Sequence, residues 1–375
     1  MRAASSADSL RNPPGRRLRR GLVGFLLLTG CSMLPGQSAP VLSPASAAVG
    51  LEAALASGER SEFTRLFAPE EGVQAQANRM FEALSQFESV DLAGPDAAVM
   101  VDSQLVGEVG VVRDVVRMIR DGALIQRIEG MPQNRWLGPE LTITERESVT
   151  VLSWAGSDPQ AWRSAAEAAL QRLRGRPLGP LAAAWQGRVI VEVPGSLQQF
   201  EQFVGGATGS AAQTAAATVA LGPSDASSPV RIVVNPIADL TPAQRSATLI
   251  HEAVHLATRS PLRPAPQWVS EGLAEAVTGE LVPSVAAQNR RLARAELDRR
   301  RRIAELPSDA DFRAEAPTAR AAYALSALLV TAMIDRLGRE RALAVLAGLS
   351  GSGSIKPPTE PELLSWLTAD LQAGG

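Results

Sequence analysis

One cysteine (Cys31), one lysine (Lys356), one tyrosine (Tyr323) and two histidines (His251 and His255) are all that this 375-residue chain holds of those four residue types. A lone cysteine leaves no intramolecular disulfide. A lone lysine leaves Schiff-base and P-loop chemistry without a realistic candidate. Aromatic residues make up only 4% of the chain, and no sign of charge dominates: 37 Lys and Arg against 39 Asp and Glu give a net charge of −2. If residues 1–30 are removed on export, six arginines and one acid, Asp8, leave with them, and the charge falls to −7. A mildly acidic surface argues against nucleic acid as a partner. What remains is a globular composition, with 45% apolar and 20% charged residues, in a chain long enough for one large domain or two ordinary ones.

The N-terminal stretch "RRLRRGLVGFLLLTGC" joins a basic flank to an apolar run over 21–29, then a small residue and Cys31. A bilayer-spanning helix needs about 20 apolar residues, so the run is too short to span stably and has the form of a secretory signal. Leu28-Thr29-Gly30-Cys31 resembles the lipobox of bacterial lipoproteins. In such signals the peptidase cuts before the cysteine, and the thiol is diacylglycerylated. The expectation is a signal peptide over 1–30, a lipid on Cys31, and a location on the extracytoplasmic face of the cell membrane. The alternatives are a plain signal peptide with a chance cysteine, or an uncleaved anchor. Residues 31–48 are rich in Pro, Ser and Ala and read as a flexible tether.

The fold class expected for the remainder is α+β. Residues 50–68 carry apolar positions at helical spacing, and Val73, Ala77, Met80, Phe81, Leu84 and Phe87 form a second stripe. Alternating runs in "AAVMVDS" and "LTITERESVTVLSW" suggest strands. Two helices and a small sheet resemble an NTF2-like or similar accessory domain, assigned to 49–177. Pro and Gly cluster in "RGRPLGPLAAAWQGR", which places a boundary near 178. The segments "RVIVEV", "AATVAL" and "VRIVVNP" then read as strands of a small sheet within a mostly helical domain over 178–375.

Both histidines lie in "TLIHEAVHLATRSPLRPAPQWVSEGLAEAV", residues 248–277. Thr241-Pro242-Ala243-Gln244 has the form of a capping box with Pro in the first turn, so a helix is expected from there to about Thr258. His251 and His255 at i and i+4 then share a face, with Cβ atoms about 6 Å apart. That spacing suits two imidazoles converging on one zinc ion at about 2.1 Å. Glu252, beside the first histidine, can reach a water on the metal and take its proton. With only two histidines present, chance produces this HExxH pattern about once in a few thousand sequences. The competing reading is a buried amphipathic helix with incidental imidazoles. A third ligand has to be a carboxylate, because the folded part offers no further His or Cys. Glu271, sixteen residues past His255 on a second short helix, is the candidate. Glu275, one turn on, is placed to accept the second ring N–H of a ligating histidine.

"HEAVH" followed by "PQWVSEGLAEAV" resembles the gluzincin metallopeptidases, in particular the compact peptidase-MA-like group with its Pro-x-Trp-x-x-Glu-Gly-x-Ala-Glu signature. The resemblance covers about residues 185–350. It implies one Zn²⁺ held by His251, His255 and Glu271, with Glu252 as catalytic base. It also implies a strand ahead of the helix whose edge binds an extended peptide, and 230–235 fit that place. Similar peptidases often carry a tyrosine in the later apolar helix. Tyr323 is therefore either an oxyanion donor or a core residue. The function expected is that of a membrane-tethered zinc metallopeptidase acting on a peptide or protein substrate. The alternatives are a non-catalytic cell-envelope lipoprotein that uses a peptidase-like domain to bind a partner, and a zinc hydrolase of a non-peptide amide.

Overall fold

A computed structural model describes residues 47–373 apart from 132, 139, 207–210, 223–226, 314–315, 317 and 352–354. The expected signal peptide, nearly all of the tether and Cys31 lie outside the described residues. No helix among the described residues is long and apolar enough to cross a membrane.

The chain is α+β. It opens with α1 (Ala47–Ser57), α2 (Arg60–Thr64) and α3 (Glu71–Leu84), followed by an antiparallel meander of β1 (Ser89–Ala93), β2 (Val99–Gln104), β3 (Val112–Asp121) and β4 (Leu124–Glu129). The single helix expected over 50–68 is split because Gly58 adopts φ +72°, a conformation that costs glycine little and ends α1. A second sheet takes β5 (Thr142–Arg146), β6 (Val149–Ser153), β7 (Val189–Val193), β8 (Ala216–Ala220) and β9 (Val230–Val234) in the order β5-β6-β7-β9-β8. β6, β7 and β9 run parallel, and the outer strands β5 and β8 pair antiparallel. Between the strands lie α4 (Pro159–Leu173) and α5 (Leu197–Val204). The remainder is helical: α6 (Pro242–Thr258), α7 (Gln267–Leu281), α8 (Pro283–Arg300), α9 (Ala319–Leu337), α10 (Arg339–Leu349) and α11 (Glu360–Ala373).

The five-stranded sheet is a wall between two apolar cores, and strand alternation deals its residues to one or the other. Val149, Val151, Val189, Val191, Val193, Ile232 and Val234 face α4, α6, α7 and α9. Leu152, Ile190 and Val233 face the core that contains α1, α3 and the four-stranded sheet. Burial on both faces explains why "VIVEV" and "VRIVV" read as nearly continuous apolar runs.

The boundary expected near 178 is corrected by this sheet, because β5 and β6 pair into it through β7. The two sheets divide between Glu129 and Thr142 instead. The Pro/Gly-rich stretch is a packed turn rather than a linker: Leu178 and Leu181 are buried in the larger core. Residues 47–373 accordingly belong to one compact unit. A second correction concerns the peptide-binding edge. Residues 230–234 are interior, paired with β7 on one side and β8 on the other, and the free edge on this side of the sheet belongs to β8.

Candidate metal centre

Thr241 caps α6 by accepting from the Gln244 backbone N–H, while the Gln244 side chain accepts from the Thr241 backbone N–H, which completes the box. Leu249, Ile250, Ala253, Val254 and Ala257 press α6 onto the sheet and neighbouring helices. That burial fixes the helix rotation and leaves His251, Glu252 and His255 on its remaining face. Arg259 ends α6 in a left-handed conformation, and the chain turns through "SPLRPAP" into α7.

Glu271 reaches the histidines because α7 lies against α9 at close range. A Cβ on the adjacent Gly272 would sit 2.6 Å from the Ser326 carbonyl oxygen, so only glycine permits this approach. His251 Nε2 and His255 Nε2 are 3.0 Å apart, and each lies 3.2 Å from Glu271 Oε2. Hydrogen bonds alone do not satisfy this triangle. The carboxylate oxygen only accepts, and two protonated imidazole nitrogens facing each other repel. Two ligands at about 2.1 Å from a tetrahedral ion stand about 3.4 Å apart, so the donor set fits one divalent cation with little adjustment.

The remaining ring nitrogens are also engaged. His251 Nδ1 is 3.3 Å from Glu275 Oε1, and Glu275 accepts from Asn289 Nδ2 at 2.8 Å. His255 Nδ1 is 2.9 Å from Ser260 Oγ. These contacts orient both rings with Nε2 toward Glu271. Burial works against charge on His251, but hydrogen bonds to Glu271 and Glu275 and their negative charges outweigh it and raise its pKa well above the usual imidazole value. Burial likewise disfavours the Glu271 carboxylate. The charge of His255 and hydrogen bonds from both histidines overcome that and pull its pKa well below the ordinary range. Glu275 is lowered in the same way: contact with His251 outweighs burial. The site thus holds negative charge in place and draws in positive charge.

Glu252 is buried, and its carboxylate Oε2 accepts from Thr218 Oγ1 at 2.6 Å. The same hydroxyl lies 3.0 Å from the Glu252 carbonyl, so its single proton serves one acceptor at a time. Tyr323 lies with its ring centroid 6.4 Å from that of His251 and packs edge-on against Phe312. Burial raises its phenol pKa, helped by the charges of Glu271, Glu252 and Glu275, so the hydroxyl keeps its proton. A cleft of about 550 Å³ opens here, lined among others by Ala216, His251, Glu252, Asn289, Arg320 and Tyr323.

Four contributors were not among the residues expected from sequence: Thr218, Ser260, Asn289 and Arg320. Asn289 left a trace, since it begins the buried stripe Asn289, Ala293, Glu296 on the otherwise polar α8. Thr218 left none. Comparison of the chain with protein-family models and with curated proteins returned no match.

Proposed function

We propose that the chain is a zinc metallopeptidase of the gluzincin kind, exported and tethered to the extracytoplasmic face of the membrane through a lipid on Cys31. The observation that carries the reading is the convergence of His251, His255 and Glu271 donor atoms within 3.0–3.2 Å of one another, with Glu252 beside them at a cleft. In this reading His251, His255 and Glu271 hold one Zn²⁺, and zinc bound there supplies a Lewis acid that polarises a carbonyl and acidifies a water.

The chain's own groups do the rest. Glu252 takes a proton from the attacking water and returns it to the leaving amine nitrogen. Thr218 holds the Glu252 carboxylate toward the cleft. The Tyr323 hydroxyl, which makes no hydrogen bond to the described residues, is free to donate to the oxyanion of the tetrahedral intermediate. Glu275 and Ser260 steady the histidines. The free edge of β8, which begins at the cleft wall, offers backbone groups to an extended peptide. The helices α1–α3 and the four-stranded meander serve as an accessory lobe of NTF2-like type, in keeping with their absence from the cleft.

The deciding experiment incubates a mixed peptide library with the wild type and with Glu252→Gln, measuring zinc on both. The expected outcome is chelator-sensitive cleavage by the wild type and a loss of at least about 10³-fold in the variant, with zinc still bound. Equal turnover by the two proteins would remove Glu252 as base. Zinc bound without cleavage of any peptide would favour an envelope lipoprotein that uses the domain to bind a partner.

A further inference from the structure

The cleft beside the metal centre has one guanidinium among the described residues that line it, Arg320, on the first turn of α9. Two carboxylates line the same cleft, and both are occupied: Glu252 by Thr218, Glu275 by His251 and Asn289. Arg320 forms an ion pair with neither. Its side chain is exposed and makes no hydrogen bond to the described residues, whereas several arginines elsewhere in the helical part are tied down. Arg336 pairs with Asp370, Arg299 and Arg300 pair with Glu296, and Arg245 stacks on Trp162. The remaining lining is small, apolar or amide-bearing, including Ala215, Ala216, Val285, Gln288 and Leu292. A cation that is alone among the described residues of the cleft, and that has no counter-charge among them, suits an anionic group brought by the ligand.

We propose that Arg320 recognises a carboxylate of the peptide substrate, so that the cleft prefers acidic peptides. The inference rests on the peptidase reading of the site and specifies its substrate class. Arg320 and Tyr323 are i and i+3 on α9, so they project from the same face, about 4.5 Å apart along the axis. Tyr323 lies beside His251, which brings the guanidinium within about three residues of the scissile bond for an extended chain advancing about 3.3 Å per residue. A guanidinium fork engages a carboxylate bidentately, an arrangement that lysine does not reproduce. The carboxylate has two possible sources, a Glu or Asp side chain and the C-terminus of a short peptide, and Arg320 serves either.

The test uses labelled Ala/Ser octapeptides that carry one Glu, or Gln in its place, at each position in turn, with a free or an amidated C-terminus. Binding is read by fluorescence anisotropy on zinc-loaded Glu252→Gln protein, where no turnover interferes, with and without Arg320→Ala. Cleavage is read in parallel with Glu252 restored. At one position, or at the free C-terminus, the carboxylate peptide should bind at least about tenfold more tightly than its neutral twin, and Arg320→Ala should bring that ratio to about one. Arg320→Lys should recover only part of it. Arg320→Glu should invert the preference toward matching Lys peptides, a gain that a misfolded variant does not give. A Glu-to-Gln ratio near one in the wild type, or one unchanged in Arg320→Ala, overturns the proposal and leaves the peptidase reading standing. A carboxylate preference that depends on Arg320 in a protein that cleaves no peptide would instead uphold recognition and remove the peptidase reading.

Discussion

Two buried polar clusters lie on opposite faces of the five-stranded sheet, and they are built on opposite plans. On the accessory side, Arg231 of β9 donates to both oxygens of Glu108 at 2.7 and 2.9 Å and to Glu192 of β7 at 2.9 Å. Arg135 completes the set by donating to Glu192 and lying 4.3 Å over the Phe203 ring. Two cations meet two anions, and each guanidinium and carboxylate has a partner within the chain. On the helical side, His251, His255 and Glu271 point three donor atoms at one another, a triangle that hydrogen bonds alone do not satisfy. Both clusters use glutamate in the protein interior. The closed one joins parts of the fold, since Glu108 and Arg231 are 123 residues apart. The open one joins the facing sides of α6 and α7 and is the candidate metal centre. Charge closure, rather than burial or residue type, is what distinguishes the ion-paired cluster from the candidate metal centre.

The sharpest way to break that distinction is to truncate one member of each. Arg231→Met leaves Glu108 and Glu192 buried without their shared cation and should cost about 3–5 kcal/mol in a urea melt, with zinc per folded chain unchanged. Glu271→Ala should abolish stoichiometric zinc binding, and its melt in chelator should shift by less than that of the Arg231 variant. If Glu271→Ala kept one tightly held zinc per chain, the open cluster would not be the metal site. If Arg231→Met lost zinc while folded, the two clusters would be coupled across the sheet.

A smaller effect is expected where the sheet touches the open cluster. Thr218, on the edge strand β8, is the only described side chain that donates to the Glu252 carboxylate. Thr218→Val keeps the shape and deletes the donor, so it should lower kcat about tenfold, in line with a lost hydrogen bond to a charged group. KM and zinc content should hold, and Thr218→Ser should restore the rate. Unchanged kcat in the valine variant would make this contact incidental to the proposed role of Glu252.

The difference between the clusters also explains what the sequence could reveal. The open cluster is local: His251 and His255 share one helix face and Glu271 and Glu275 another, so helical periodicity paired each set, and the lack of any other His or Cys in the folded part pointed to Glu271 as the partner of the histidines. The closed cluster is non-local, and nothing in "GEVGV" or "VRIVV" announces that Glu108 and Arg231 will meet. The same limit misplaced the edge strand. "VRIVVNP" and "AATVAL" both read as strands, but their order in the sheet is set by pairing with β7, which lies outside either segment. The Pro/Gly cluster at 175–180 resembled a linker because composition does not record that Leu178 and Leu181 are inserted into the core. The helix α4, which packs on β6, β7 and α6, carries no chemistry-bearing motif.

The smallest predicted effect probes where the closed cluster ends. Asp114, on β3, accepts from the Trp136 indole at 2.7 Å beside Arg135, yet burial raises its carboxyl pKa above the ordinary value despite those partners. A carboxyl raised on folding favours the protonated native state. Its contribution to stability is therefore present below the unfolded value of about 3.9 and is lost as pH rises through the folded one. Asp114→Asn keeps an acceptor for Trp136 but has no proton to lose. The stability of the variant relative to wild type should thus improve from pH 4 to pH 7, measured as the difference in urea midpoints at each pH. The opposite trend, with aspartate gaining on asparagine as pH rises, would mean that the ionised carboxylate is used by Arg135 and Arg231. The cluster would then hold three acids against two cations, and closure would no longer distinguish it from the candidate metal centre.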